Sequence, residues 1–160
     1  MTTYAGRVTA PTPSPVGPAP DDALALERQV CFALSVAARN VVAVYRQVLE
    51  PLGLTHPQYL VMLALWQHDS LSVKDLSRLL QLDPGTLSPL LKRLEALGYV
   101  TRTRSRSDER QLIVELTESG RALRAEAEKI PYRVVETLGM DVSELTALHG
   151  VLTRVIDATA

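Results

Sequence analysis

The stretch SVKDLSRLLQLDPGTLSPLLKRLEALGYVTRTRSRSDERQLIVEL, residues 72–116, changes its hydrophobic period once, and that change predicts the fold. Ser72 and Asp75 form a capping box that opens a short helix ending near Leu80. Asp83 is a second N-cap, with Pro84 at the first helical position. Leu87, Leu90, Leu91, Leu94 and Leu97 then recur at helical spacing, and Gly98 stops the helix. Beyond it, residues 100–104 and 111–116 read as two strands around a polar tip, residues 105–109.

Two short helices, a tight turn and a basic hairpin make a DNA-reading pattern. A helix fits the major groove, where base edges carry a unique code. Its leading residues must be small or polar to come close, and Thr86, Ser88 and Pro89 stand there, with Lys92 and Arg93 following. The hairpin adds Arg102, Arg104, Arg106 and Arg110, and Arg102 and Arg104 share one strand face. From Lys92 to Arg110 there are six basic and three acidic residues, whereas the whole chain carries −1. Positive charge is therefore segregated onto these elements, and a basic tip suits the narrow minor groove. Charge alone is equally consistent with a solvated hairpin. The order of elements favours DNA.

Outward from this stretch the chain is helical. Thr55 can cap a helix running to about His68, whose near-continuous apolar run, residues 59–66, predicts burial. Residues 21–50 lack Pro and Gly and place Leu34, Ala38, Val41, Tyr45 and Val48 at helical spacing, which predicts one long helix stopped by Pro51 and Gly53. Thr117 caps a fifth helix that Pro131 interrupts or kinks, and Asp141 with Glu144 opens a last one to about Asp157. The expected architecture is mainly α with a small β-hairpin wing, a winged helix-turn-helix dimerised through its N- and C-terminal helices. Residues 1–20 hold five of the ten prolines and read as a disordered tail. Residues 21–160 read as one domain, with dimerisation helices at about 21–50 and 118–157 and a DNA-binding part at about 55–117.

Composition sets further bounds. At 160 residues, 46% apolar and 4% aromatic, the chain can build one core, mostly of Leu, Val and Ala. Its single cysteine excludes an internal disulfide and favours a reducing compartment. No run approaches a membrane span and no leader is visible, so the expectation is cytoplasmic, with no membrane partner. No phosphate-binding glycine loop or hydrolytic triad is present. His56, His68 and His149 lack close ligand spacing, so no metal and no cofactor are expected.

Four blocks now carry a resemblance: residues 82–95 (LDPGTLSPLLKRLE), 98–102 (GYVTR), 108–110 (DER) and 116–120 (LTESG). With their spacing, residues 22–152 resemble the MarR family of transcriptional regulators. The resemblance implies a dimer with one winged helix per subunit and double-stranded operator DNA as partner. It implies that Asp108 orients the wing and that Arg110 approaches the minor groove. Pro84 departs from the small polar residue of near relatives, which would remove one phosphate contact.

Cys31 has two readings. Most free cysteines are buried and inert. However, residues 26–34 (LERQVCFAL) and 54–66 (LTHPQYLVMLALW) resemble the organic-hydroperoxide-resistance regulators, a redox-sensing branch whose reactive cysteine lies in a Cys-Phe motif, matched by Cys31 and Phe32. A thiolate attacks peroxide oxygen and yields a sulfenic acid. With no second cysteine, the chain resembles the one-cysteine branch, in which a low-molecular-weight thiol or another protein supplies the cap. The branch implies two tyrosines hydrogen-bonded to the cysteine. Tyr45 matches one, and His56 stands at the other position. Histidine can still donate a hydrogen bond, and as a cation it would favour a thiolate more strongly. His56 is equally readable as a polar residue flanking a helix.

Cys31 and Tyr45 are 14 residues apart, about 21 Å along a straight helix. They cannot touch within it, so Tyr45 would reach the thiol of a second subunit. The expected function is a DNA-binding regulator, a repressor by the family norm, that an organic hydroperoxide releases from DNA through Cys31. The alternatives are a repressor released by a small aromatic or phenolic acid with Cys31 structural, a thiol peroxidase, and a metal sensor.

Overall fold

A computed structural model describes residues 22–105 and 107–159. The expected tail, residues 1–20, and the wing residue Arg106 lie outside the described residues. The chain divides into two units, residues 1–39 and 40–160. In the first, a 3-10 turn at Leu26–Arg28 precedes the helix α1 (Val30–Leu49), which continues into the second unit. The long helix thus begins at Val30 and not at Asp21. The Gln29 side-chain amide donates to the carbonyls of Ala23 and Ala25, and an extended Gln29 separates turn from helix.

Leucines build the second unit. Leu87, Leu91 and Leu94 occupy one face of α4 (Pro84–Ala96) and are fully buried. They pack in one cluster with Val61, Met62 and Leu65 of α2 (His56–His68) and Leu76 of α3 (Val73–Leu80). α2 follows its sequence pattern. Thr55 and Gln58 close a capping box, Pro57 sits in the first turn, and Gln58, Tyr59, Val61, Met62, Ala64 and Leu65 are buried. From α1, Leu49 is buried in the cluster, and Val44, Tyr45 and Val48 pack against it.

The hairpin is part of a three-stranded sheet. β2 (Val100–Arg104) pairs antiparallel with β3 (Leu112–Leu116), and β1 (Ser70–Ser72) pairs with the other edge of β3, in order β1-β3-β2. β1 went unread because three residues show no period, and β3 starts one residue later than expected. The predicted fifth helix is three: α5 (Glu118–Ala122), α6 (Arg124–Ala127) and α7 (Ile130–Leu138). Pro131 interrupts it as expected, but from the first turn of α7, where its missing N–H costs nothing. Then α8 (Val142–Thr159) completes the described chain and has no buried residue.

Candidate functional site

α4 carries its candidate residues because its two faces differ. The leucine face is buried, while Thr86, Ser88, Pro89, Lys92 and Arg93 are all exposed. Asp83 fixes the leading end. Its carboxylate accepts from the Thr86 backbone N–H at 2.9 Å and from the Thr86 hydroxyl at 2.5 Å. These donors hold the Asp83 carboxyl below its ordinary range. The turn before it closes through the Ser77 hydroxyl, which donates to the Leu82 carbonyl, and through Gln81 in the left-handed region.

The wing is held by its own backbone. The Asp108 carboxylate accepts from the Arg110 N–H at 3.0 Å, and the Asp108 carbonyl from the Gln111 N–H at 2.9 Å. Asp108 therefore organises the turn that presents Arg110. Arg104 and Arg110 are exposed. Arg102 is not part of that basic face. Its guanidinium is half-buried and donates to the Glu95 carboxylate of α4, which lowers the Glu95 pKa and ties wing to helix. Sequence reasoning placed it with Arg104 by strand parity, because only tertiary packing brings Glu95 opposite.

A third set of contacts joins α2 to this head. Trp66 Nε1 donates to the Gly120 carbonyl at 2.9 Å, and Thr117 caps α5 while its own N–H donates to the Tyr99 carbonyl. A β-carbon at Gly120 would stand 2.0 Å from the Tyr99 carbonyl oxygen. The glycine of the LTESG block is thus required by close backbone approach.

The two candidate thiol-supporting residues come together. The Tyr45 and His56 rings lie 5.0 Å apart, and Tyr59 stacks at 5.9 Å from Tyr45. Burial raises the Tyr45 pKa, so its phenol remains a donor. Burial lowers the His56 pKa from 6.5, which favours the neutral imidazole over the cation the sequence allowed and leaves a neutral N–H as its donor. Tyr59, the third ring, escaped sequence reasoning because its spacing reads as core. A cavity of about 500 Å³ opens beside His56, walled by Val42, Arg46, Glu50 and Leu54. Cys31, in the other unit, is exposed. Among the described residues no three His, Cys, Asp or Glu side chains group to hold a metal, and no helix is long and apolar enough to cross a membrane.

Known proteins resemble this chain in sequence and fold. Residues 43–127 match the family model described as transcriptional regulator SarA/Rot. The regulator TtmR of Methylorubrum extorquens is 48% identical over 128 residues, covering 80% of this chain and 66% of that protein. The organic hydroperoxide resistance transcriptional regulator of Bacillus subtilis is 42% identical over 135 residues, 82% of this chain and 92% of that protein. Among solved structures, reduced AbfR bound to DNA superposes with a TM-score of 0.74 at 33% identity, covering 84% of this chain and 92% of that one. Overoxidised AbfR bound to DNA gives 0.69 at 32%, covering 84% and 95%. These relatives are regulators, not enzymes, and the peroxidase reading falls with that. The chain belongs to the MarR-type family of DNA-binding transcriptional regulators, that of SarA and Rot.

Proposed function

We propose that this regulator is a homodimeric repressor that an organic hydroperoxide releases from its operator by oxidising Cys31. The observation that carries it is the Tyr45–His56 pair at 5.0 Å, two hydrogen-bond donors side by side at the positions the redox-sensing branch assigns to thiol support. The exposure of Cys31 supports it, since an inert core cysteine would be covered within the protomer. In the dimer the pair of one subunit faces the Cys31 of the other. The α8 face supports a second copy as its cover: an 18-residue helix with no buried residue exposes Leu148, Val151, Val155 and Ile156.

On DNA, Thr86, Ser88, Pro89, Lys92 and Arg93 enter the major groove. Arg104, Arg106 and Arg110 reach phosphates or the minor groove, and Asp108 orients them. Oxidation transfers the terminal hydroperoxide oxygen to the Cys31 sulfur. The O–O bond breaks, the alcohol leaves, and the sulfur becomes a sulfenic acid. A low-molecular-weight thiol then attacks that sulfur, forming a mixed disulfide and releasing water. The added atoms need room that a close-packed interface lacks, so the helices shift and the heads lose register. About 1.4 kcal/mol of strain already costs tenfold in affinity.

Titrating the DNA complex of wild type and Cys31→Ser with cumene hydroperoxide tests this. Wild type should dissociate, and Cys31→Ser should bind equally well and ignore the oxidant. Release of Cys31→Ser would overturn the redox reading. A second reading would then gain, release by a small aromatic acid. It is favoured by a cavity of about 560 Å³ walled by Tyr59, Leu63, Trp66, Pro131 and Tyr132, with Arg124 also in the wall and ion-paired there with Glu128.

A further inference from the structure

The sheet order β1-β3-β2 sets three cations in a row across one end of the sheet. Arg104 ends β2, opposite Leu112 of β3. Arg110 precedes β3. On the far edge, Ser72 pairs with Ile113, and Lys74 follows at the second position of α3. A cleft of about 310 Å³ is walled by Ser72, Val73, Lys74, Arg110, Gln111 and Leu112. A neighbouring one of about 260 Å³ adds Arg104 and shares Arg110, Gln111 and Leu112. At one strand spacing per step the row spans roughly 10 Å. The carboxylate in these walls is Glu109.

None of the three cations has an ion-pair partner among the described residues, whereas Arg78, Arg102, Arg124 and Lys129 each have one. Asp75, the carboxylate next to Lys74, is already engaged, accepting from Arg78 at 2.9 Å and from the Ser72 hydroxyl at 2.6 Å. Lys74 also stands where the chain would gain from an acid. The first turn of a helix is its positive end, and a lysine there works against local stability. A residue that breaks a local rule is where a functional or a strained site is expected.

We propose that this sheet end is a backbone-phosphate rail, in which Lys74 binds a DNA phosphate beside those held by Arg104 and Arg110. The footprint of each head then extends past the wing onto α3. The proposal rests on the DNA-reading head described above, and its test separates the two. A phosphate contact acts on any sequence, so mixed-sequence duplex DNA is the probe, with binding followed by fluorescence anisotropy across a potassium chloride series. Each lost phosphate contact should flatten the slope of log K against log salt by roughly 0.9. Lys74→Ala should lose about that much, Lys74→Arg should recover it, and Lys129→Ala should keep the wild-type slope. Thermal melts confirm that each variant is folded. A wild-type slope in Lys74→Ala alongside a reduced slope in Arg104→Ala would overturn the rail and leave the wing intact. Wild-type slopes in both would overturn the wing as well.

Discussion

Gly120 shows how a single atom can decide a joint. Its carbonyl accepts from Trp66, and the place where its β-carbon would lie is 2.0 Å from the Tyr99 carbonyl oxygen. No side-chain rotation relieves a clash with backbone, so α5 would have to move off the turn between α4 and β2. Gly120→Ala should destabilise the fold by about 1–3 kcal/mol, the ordinary cost of overpacking, read as a lower urea midpoint. An unchanged midpoint would mean that the joint is loose. The motif that contains Gly120 was visible in the sequence, but the reason for its glycine was not, since Tyr99 and Gly120 meet only after the hairpin has formed. His56 is the counterpart at the candidate thiol site. The sequence offered a cation or a neutral donor, and burial beside Tyr45 favours the neutral one.

Among elements, the wing and α4 form one device. The Arg102–Glu95 pair crosses from strand to helix, with Arg102 half-buried. Glu95→Gln keeps the shape and removes the charge, leaving the guanidinium with a weaker acceptor. Amide exchange in β2 and β3 should then speed up and DNA affinity should fall, while the salt slope stays at its wild-type value because no phosphate contact has gone. A flattened slope with unchanged exchange would instead make Arg102 a DNA contact. Most element boundaries could be read in advance, because caps and glycines act locally: Thr55, Ser72, Asp83 and Thr117 each stand one residue before a helix. The failures were β1, too short for a period, the start of β3, the division of the fifth helix into α5, α6 and α7, and the start of α1, where the extended Gln29 parts a stretch without Pro or Gly.

At the scale of the molecule, α8 leaves its apolar side without cover in the protomer. A second copy is the cover proposed here, with Leu148, Val151, Val155 and Ile156 at the seam. The double substitution Val151→Asp and Val155→Asp should shift sedimentation at micromolar concentration from dimer to monomer. It should also weaken operator binding far more than binding to a single half-site, since two tethered heads gain from effective concentration. A dimer that survives both charges would place the seam elsewhere.

The candidate roles of Cys31, Tyr45 and His56 are what the family resemblance implies; sequence by itself determined the winged helix-turn-helix order and the faces of α4. Those follow from periodicity, caps and motif spacing, all of which are local along the chain. Tertiary structure alone decided which charges are spent inside and which face outward. Arg102 is consumed by Glu95 of another element, whereas Asp108 and Asp75 are engaged by near neighbours in the chain, and Lys74, Arg104 and Arg110, like Lys92 and Arg93 of α4, have no ion-pair partner among the described residues. A charge's availability depends on what folding brings within hydrogen-bond reach, and for Arg102 that partner comes from another element.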